Sequence, residues 1–131
     1  MDSLFARTSR VENYLNMLLT KFGVSKNIFI SQFPVNIKSE WNDMVLIDVN
    51  GGGNKNAYNT YSANIFLYGR PIGDSMKKNV KVIDAMEEKL DEAIKNSTSE
   101  HYSVTVNFRD ADYDNTRNFH FNVVNVMVIA R

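Results

Sequence analysis

The chain has 131 residues and no cysteine, and its 15 basic residues balance 15 acidic ones. The length suits a single domain over residues 1–131, and the lack of cysteine excludes disulfide frameworks, thiol catalysis and cysteine-based zinc sites. The zero net charge disfavours a general nucleic-acid binder, which usually carries a basic excess.

The first half of the chain predicts one helix and three strands. Apolar residues at three- and four-residue steps predict a helix over residues 3–22 that ends at Gly23. Apolar and β-branched runs then predict strands over residues 27–33, 44–49 and 58–68. The first ten residues are polar, and no apolar run approaches the length of a membrane span, so we expect neither a secretion signal nor a membrane partner.

The second half predicts a helix and two strands. An apolar stripe indicates a helix over residues 75–95, capped by Asp74 or Ser75. Alternation predicts a strand over residues 101–109, and a last strand covers residues 118–131. In the first of these strands four residues are predicted to face the core: Tyr102, Val104, Val106 and Phe108. The order α-β-β-β-α-β-β predicts an α+β fold, with a mostly antiparallel sheet of about five strands and both helices on one face.

The last strand is apolar on both faces over much of its length. One face carries Phe119, Phe121, Val123, Met127 and Ile129. The other carries Val124, Val126, Val128 and Ala130. A small chain has one core to cover one of these faces, so the second needs a helix layer, another sheet or another copy of the molecule. This pattern favours self-assembly, and Val124, Val126 and Val128 are the predicted contact residues.

The aspartate-rich segment after the fourth predicted strand resembles the start of a metal-binding loop. Asp110, Asp112 and Asp114 begin like a calcium loop, but Asn115 replaces the glycine that makes its sharp turn, and the closing glutamate is absent. We interpret residues 110–117 as a polar hairpin tip that is available for assembly.

A glycine triplet, Gly51 to Gly53, joins two strand-like runs, and no Lys-Ser or Lys-Thr pair follows it. A flexible loop that orders against a neighbouring subunit is therefore favoured over a phosphate cradle.

The remaining polar and aromatic residues give no catalytic set. His101 and His120 lack a second ligand at helical spacing, and a catalytic pair of His120 with Asp110 or Asp112 is the alternative. The aromatic residues are favoured as core or interface residues over a base-stacking platform. They are Trp41, Tyr58, Tyr61, Phe66 and Tyr68. We expect no catalytic residue, no cofactor and no bound metal.

Three lysines near the start of the second helix oppose the preference of a helix N-terminus for negative charge: Lys77, Lys78 and Lys81. Contact with an oppositely charged neighbouring subunit would explain this arrangement, and a solvated helix face without a role is an equal alternative. A lumen that faces DNA is the third interpretation.

The order of elements resembles the tail-terminator, or tail-completion, proteins of tailed bacteriophages. The resemblance covers nearly the whole chain and is carried by the long strand SANIFLYGRP, residues 62–71, which leads into a helix over residues 76–94. Within that helix the sequence AMEEKL, residues 85–90, is similar in texture to the family.

This resemblance implies a virion structural protein, assembled in the host cytoplasm, that forms a ring, usually a hexamer. Such a ring caps the tail tube and contacts the tail tube and neck proteins, and DNA passes through its lumen without specific binding. The resemblance implies no catalysis and no cofactor. The alternatives are another phage neck or head-closure adaptor and, from a different class, a small α+β ligand-binding protein or enzyme.

Overall fold

The computed structural model describes residues 4–55, 58–73 and 76–131 of the chain. Two helices and five strands follow one another in the predicted order: α1 Leu4–Lys21, β1 Ile28–Ile30, β2 Asp43–Lys55, β3 Tyr58–Gly69, α2 Val80–Lys95, β4 Tyr102–Asp114 and β5 Phe119–Ala130. The strands form one sheet in the order β1-β2-β3-β5-β4. Only the β1–β2 pair is parallel, so the predicted α+β fold with a mostly antiparallel sheet is confirmed.

Both helices pack against the same face of the sheet, which we call the inner face. Helix α1 buries residues at helical spacing, among them Val11, Leu15 and Leu19. It ends at Lys21, and Gly23 follows with a φ of +66°, in the left-handed region that glycine adopts without strain. The predicted bounds of this helix are therefore confirmed to within a residue.

Helix α2 buries Ile83, Met86, Leu90 and Ala93 against the sheet. It begins at Val80, five residues later than predicted, because the preceding segment makes a bridge between Ile72 and Lys77 before the helix starts. The cap is accordingly Asn79 and neither of the predicted residues: its side-chain oxygen accepts a 3.4 Å bond from the amide of Val82.

Gly69 permits the close approach of α2 to the sheet. A Cβ atom at this position would lie 2.7 Å from Cγ1 of Ile83, which is closer than a carbon contact allows. The glycine at the end of β3 therefore fixes how near the start of α2 can pack.

The strand bounds differ from the predictions at both edges of the sheet. Strand β1 is shorter than predicted, because Ser31 has a φ of 71° and turns the chain out of the sheet. Strand β4 is longer and reaches Asp114. A bulge between Val106 and Phe108 shifts its register, so that Val106 pairs with Val126 but Phe108 pairs with Asn125. Because the extra residue reverses the alternation, the prediction that Phe108 faces the core is wrong.

Candidate functional site

The two faces of the sheet are covered in different ways. The inner face meets both helices, and its central residues are fully buried, among them Ile47, Ala63 and Ile65. The opposite face, which we call the outer face, is covered at one end by the irregular segment 31–42 that links β1 to β2. The rest of the outer face is the candidate functional surface of the described chain.

An aromatic cluster closes the covered end of the outer face. Phe33, from the irregular segment, packs its ring edge-on against Tyr68, with 4.7 Å between the ring centroids. Tyr68 stacks on Phe121 at 4.9 Å, and Trp41 lies 5.4 Å from Phe29. Large aromatic pairs of this kind add stability beyond the area that they bury.

Arg70 ties the irregular segment to the sheet. Its Nε donates a 3.0 Å bond to the carbonyl of Trp41, and its Nη2 donates a bond of the same length to the carbonyl of Lys38. The guanidinium also lies 4.8 Å from the ring centroid of Phe119. The Arg70 side chain therefore holds the segment by hydrogen bonds to two of its carbonyls, and a cation–π contact with Phe119 of β5 holds the guanidinium against the sheet.

Three interacting polar side chains, those of Tyr68, Asp114 and Arg117, lie at the border of the aromatic cluster. The hydroxyl of Tyr68 donates a 2.9 Å bond to Oδ2 of Asp114, and Arg117 forms a 3.0 Å ion pair with the same oxygen. Burial raises the pKa of Tyr68, and its bond to Asp114 raises it further. Burial alone would also raise the pKa of Asp114. The amide of Arg117, the Tyr68 hydroxyl and the Arg117 guanidinium outweigh that effect and hold the pKa below its ordinary value.

Beyond the aromatic cluster, the middle of the outer face holds an amide network centred on Asn125. The side-chain nitrogen of Asn125 donates to Oδ1 of Asn64 at 2.7 Å and to Oγ of Ser62 at 3.2 Å. Its oxygen accepts a 2.9 Å bond from Nδ2 of Asn107, which lies at the bulge of β4. The network joins β3, β5 and β4, so it fixes their register with polar groups where the inner face uses aliphatic ones.

The remaining part of the outer face carries apolar side chains outside both hydrophobic clusters. Val123, Met127 and Ile129 are half-buried and belong to neither cluster of the described residues. Phe108, turned outward by the bulge, is 54% exposed. Exposed aromatic side chains beside further apolar groups are typical of protein contact surfaces.

The three valines predicted as assembly contacts are not on this surface. Val124, Val126 and Val128 are fully buried on the inner face, within the hydrophobic core that the helices cover. That part of the prediction is wrong, because the helices of the same chain supply the cover that a second copy was expected to provide. The other apolar face of the same strand, with Val123, Met127 and Ile129, is the one left half-covered.

The glycine triplet lies in a strand and not in a loop between strands. Strand β2 continues to Lys55, and Gly52 pairs with Tyr61 and Gly53 with Thr60. The register shifts between Asn50 and Gly52, which is the position of a bulge. The predicted loop is therefore wrong, and the role of Gly51, Gly52 and Gly53 in assembly stays a prediction.

The predicted acidic tip is also part of a strand. Asp110, Asp112 and Asp114 lie in β4 and pair with Val123, Phe121 and Phe119. Since residues directly opposite each other share a face, all three carboxylates belong to the outer face. Within the described ranges no three histidine or carboxylate side chains converge closely enough to hold a metal ion.

The two histidines lie apart from these carboxylates. His101 is exposed before β4, and His120 pairs with Tyr113 on the inner face, where its ring lies 4.6 Å from the tyrosine ring. Its Nε2 is 2.8 Å from the carbonyl oxygen of Met76. The alternative catalytic pair of His120 with Asp110 or Asp112 is not formed, because its members lie on opposite faces of the sheet.

The three lysines near α2 have unlike surroundings. Lys78 is half-buried, and its Nζ donates a 3.1 Å bond to Oδ1 of Asn122. Lys77 and Lys81 are exposed, and Lys81 lies in the first turn of α2. Their predicted position on a lumen stays a prediction.

The aromatic residues that were considered as a base-stacking platform are divided between the two faces. Tyr61 is buried in the inner core, whereas Phe66, Tyr68 and Trp41 belong to the outer aromatic cluster. Four aromatic rings in a row are therefore not available for stacking on bases, and the side chain of Tyr58 lies outside the described part.

Two of the cavities in the described part of the chain differ in size and lining. One of about 190 Å³ lies beside α1 and the ends of three strands. It is lined by Arg10, Val11, Asn59, Tyr61, Tyr102, Ala130 and Arg131. Its volume is below the ~300–1,000 Å³ of usual ligand pockets. A groove of about 410 Å³ near Gly23 and Lys26 has neither a histidine nor a carboxylate in its lining.

Comparison of the chain with known protein families and with curated proteins finds no match. Within the described ranges, no helical segment combines the length and the hydropathy that a membrane span needs.

Proposed function

We propose that the chain is a non-enzymatic structural subunit of a tailed-bacteriophage virion, which assembles into a ring that completes the tail and joins the tail tube to the neck or head. The observation that carries the proposal is the partly covered outer face. There the exposed ring of Phe108 lies near half-buried aliphatic residues, and an amide network replaces a second layer.

The order of elements supports the same proposal. The α-β-β-β-α-β-β order in which the chain resembles the tail-completion family is the order of helices and strands in the fold. A sheet that is closed on one face by its own helices and open on part of the other suits a subunit that packs against identical neighbours. A ring of this kind leaves a lumen through which DNA can pass without specific binding.

The mass of the protein in solution tests this proposal. Sedimentation over a wide concentration range, with negative-stain electron microscopy of the same sample, should give a ring-shaped closed oligomer of 15.0 kDa subunits. A single 15.0 kDa species at the highest concentration would contradict the ring. A ring that binds purified tail tubes supports tail completion, whereas one that binds only necks or heads supports the alternative adaptor.

A further inference from the structure

Strand β4 forms one edge of the sheet, and it is long for an edge strand. It runs for 13 residues from Tyr102 to Asp114, and β5 is its only neighbour among the described strands. One side of its backbone therefore carries amides and carbonyls that no described strand of the same chain pairs. Such an edge is a template for a strand of another chain wherever it is not blocked.

The hydrogen-bond pattern shows which residues of β4 point to the free edge. Tyr102 lies opposite Ala130, and the amide of the residue after Ala130 donates a 2.8 Å bond to the carbonyl of the residue before Tyr102. This bond makes the Tyr102–Ala130 pair a non-hydrogen-bonded pair, and the two kinds of pair alternate along antiparallel strands. Val104 and Val106 therefore turn their amides and carbonyls away from β5, towards the free edge.

The chain closes the two ends of this edge itself. At the start, Oγ of Ser99 accepts a 3.1 Å bond from the amide of Tyr102, and the amide of Ser99 donates a 2.8 Å bond to the carbonyl of Tyr102. Towards the end, Oδ1 of Asp110 and Oδ1 of Asp112 each accept a 2.8 Å bond from the amide of the following residue. Carboxylates that occupy edge amides and add charge block the approach of a second strand.

Between these two closures the edge is open and uncharged. Residues 103–107, which we call the open segment, read SVTVN. The side chain of Thr105 at its centre is exposed. Within the part of the chain that the structure describes, no hydrogen bond satisfies the amide of Val104 or that of Val106. The open segment is therefore the part of the edge that can accept a strand from outside.

The open segment is complementary to itself. When two copies run antiparallel with Thr105 opposite Thr105 of the partner subunit, Val104 of each copy lies opposite Val106 of the other. Both valines point to the edge, so each of these pairs exchanges two backbone hydrogen bonds. The register also places Asp110 and Asp112 of each copy beyond the open segment of the other, so the blocking carboxylates do not oppose the contact.

We propose that the open segment of β4 pairs with the open segment of a second copy of this chain, about a two-fold axis beside Thr105. The axis is perpendicular to the sheet, so the two sheets join into one and both outer faces lie on the same side. The exposed ring of Phe108 follows the open segment in each copy. A two-fold contact is complete with two copies, so it goes beyond the proposed ring and does not depend on it.

The lack of cysteine in the chain permits a direct test of the register. In a non-hydrogen-bonded pair the Cα atoms are about 4.5 Å apart, a distance that a disulfide spans. A mildly oxidised T105C chain should therefore give a disulfide-linked pair on a non-reducing gel. The control is S103C, on the same strand, because Ser103 lies opposite Asn107 of the partner subunit. Little or no linked pair should form in S103C.

Charges at the axis provide a second, independent test. T105K and T105D should each raise the dissociation constant of the pair at least about tenfold in low-salt sedimentation, because like charges then meet at the axis. An equimolar mixture of the two variants should associate again as mixed pairs. The matched controls are V35K and V35D, since Val35 is 99% exposed and lies outside β4. Circular dichroism of every variant confirms that the fold is kept.

The outcomes separate this contact from the proposed function. Equal linking of T105C and S103C, or a mixture of T105K and T105D that associates no better than its components, overturns the contact and leaves the ring proposal standing. A species of twice 15.0 kDa with nothing larger, which T105C links, supports the contact and contradicts the ring. If the unchanged chain stays monomeric at every concentration, both proposals fail.

Discussion

The two faces of the sheet are covered differently: one side of β5 is buried in the core of the chain, and the other belongs to the face on which we propose that copies associate. On the inner face of β5, Val124, Val126 and Val128 are fully buried beneath helices of the same chain. The outer face has an aromatic cluster at one end and an amide network in the middle, and its other aliphatic side chains are only half-buried. Substitutions on the inner face should therefore change folding, and those on the open part of the outer face should change contacts between copies.

The inner face can be broken by a buried charge. V126D places a carboxylate in the hydrophobic core, where no partner is available, and we expect a loss of about 4–5 kcal/mol or more in the free energy of unfolding. That is much of the ~5–15 kcal/mol that holds an ordinary domain together. Thermal unfolding followed by circular dichroism measures the effect.

The control for this prediction is V35D, which introduces the same charge at a side chain that is 99% exposed. Its melting temperature should equal that of the unchanged chain. A V126D chain that is as stable as V35D would show that burial of Val126 on the inner face does not stabilise the fold.

The amide network predicts an intermediate effect on the outer face. N125A removes the side chain that joins Asn64, Ser62 and Asn107, so three bonds are lost. Two of the partners, Ser62 and Asn64, are half-buried. We expect a cost of about 1–3 kcal/mol. Denaturant unfolding measures it, and T105A, an exposed position on the same face, is the control. Equal stability of the two variants would contradict the network.

The smallest predicted effect depends on pH. Asp114 has a pKa below its ordinary value of 3.8, so the folded state stabilises its charged form. That stabilisation is fully present above pH 3.8 and is lost as the pH falls through the lower pKa of the folded chain. D114N should therefore be less stable than the unchanged chain near neutral pH, by about 1 kcal/mol or less, as for a partly exposed ion pair.

The difference between D114N and the unchanged chain should shrink in acid, and unfolding free energies measured at several pH values test this. The control is D84N, because Asp84 is exposed on α2. A difference for D114N that does not depend on pH would mean that the charge of Asp114 is not involved.

The order of elements follows from local periodicity, which is why the sequence predicts it. Apolar residues at helical spacing along α2 and alternation in β4 depend only on neighbours in the chain. The partly covered outer face depends on contacts distant in sequence. Arg70 holds the segment 31–42 by hydrogen bonds to the carbonyls of Trp41 and Lys38, and no pattern in the local sequence predicts such bonds.

A single extra residue separates the predicted face of Phe108 from the observed one. Alternation assigns Phe108 to the core, and the bulge at position 107 reverses that assignment for the rest of β4. Asn125 was the one available signal for the outer face. It interrupts the apolar run VVNVMV, and a polar residue inside such a run indicates a network or a contact surface.

The position of β5 has a consequence for the order in which the molecule matures. In the sheet β5 separates β3 from β4, yet it follows both of them along the chain. Among the described strands β4 has no other neighbour, so its pairing requires the later strand. We therefore expect the surface around Phe108 to take its final form only after β5 has been synthesised and has paired with β4.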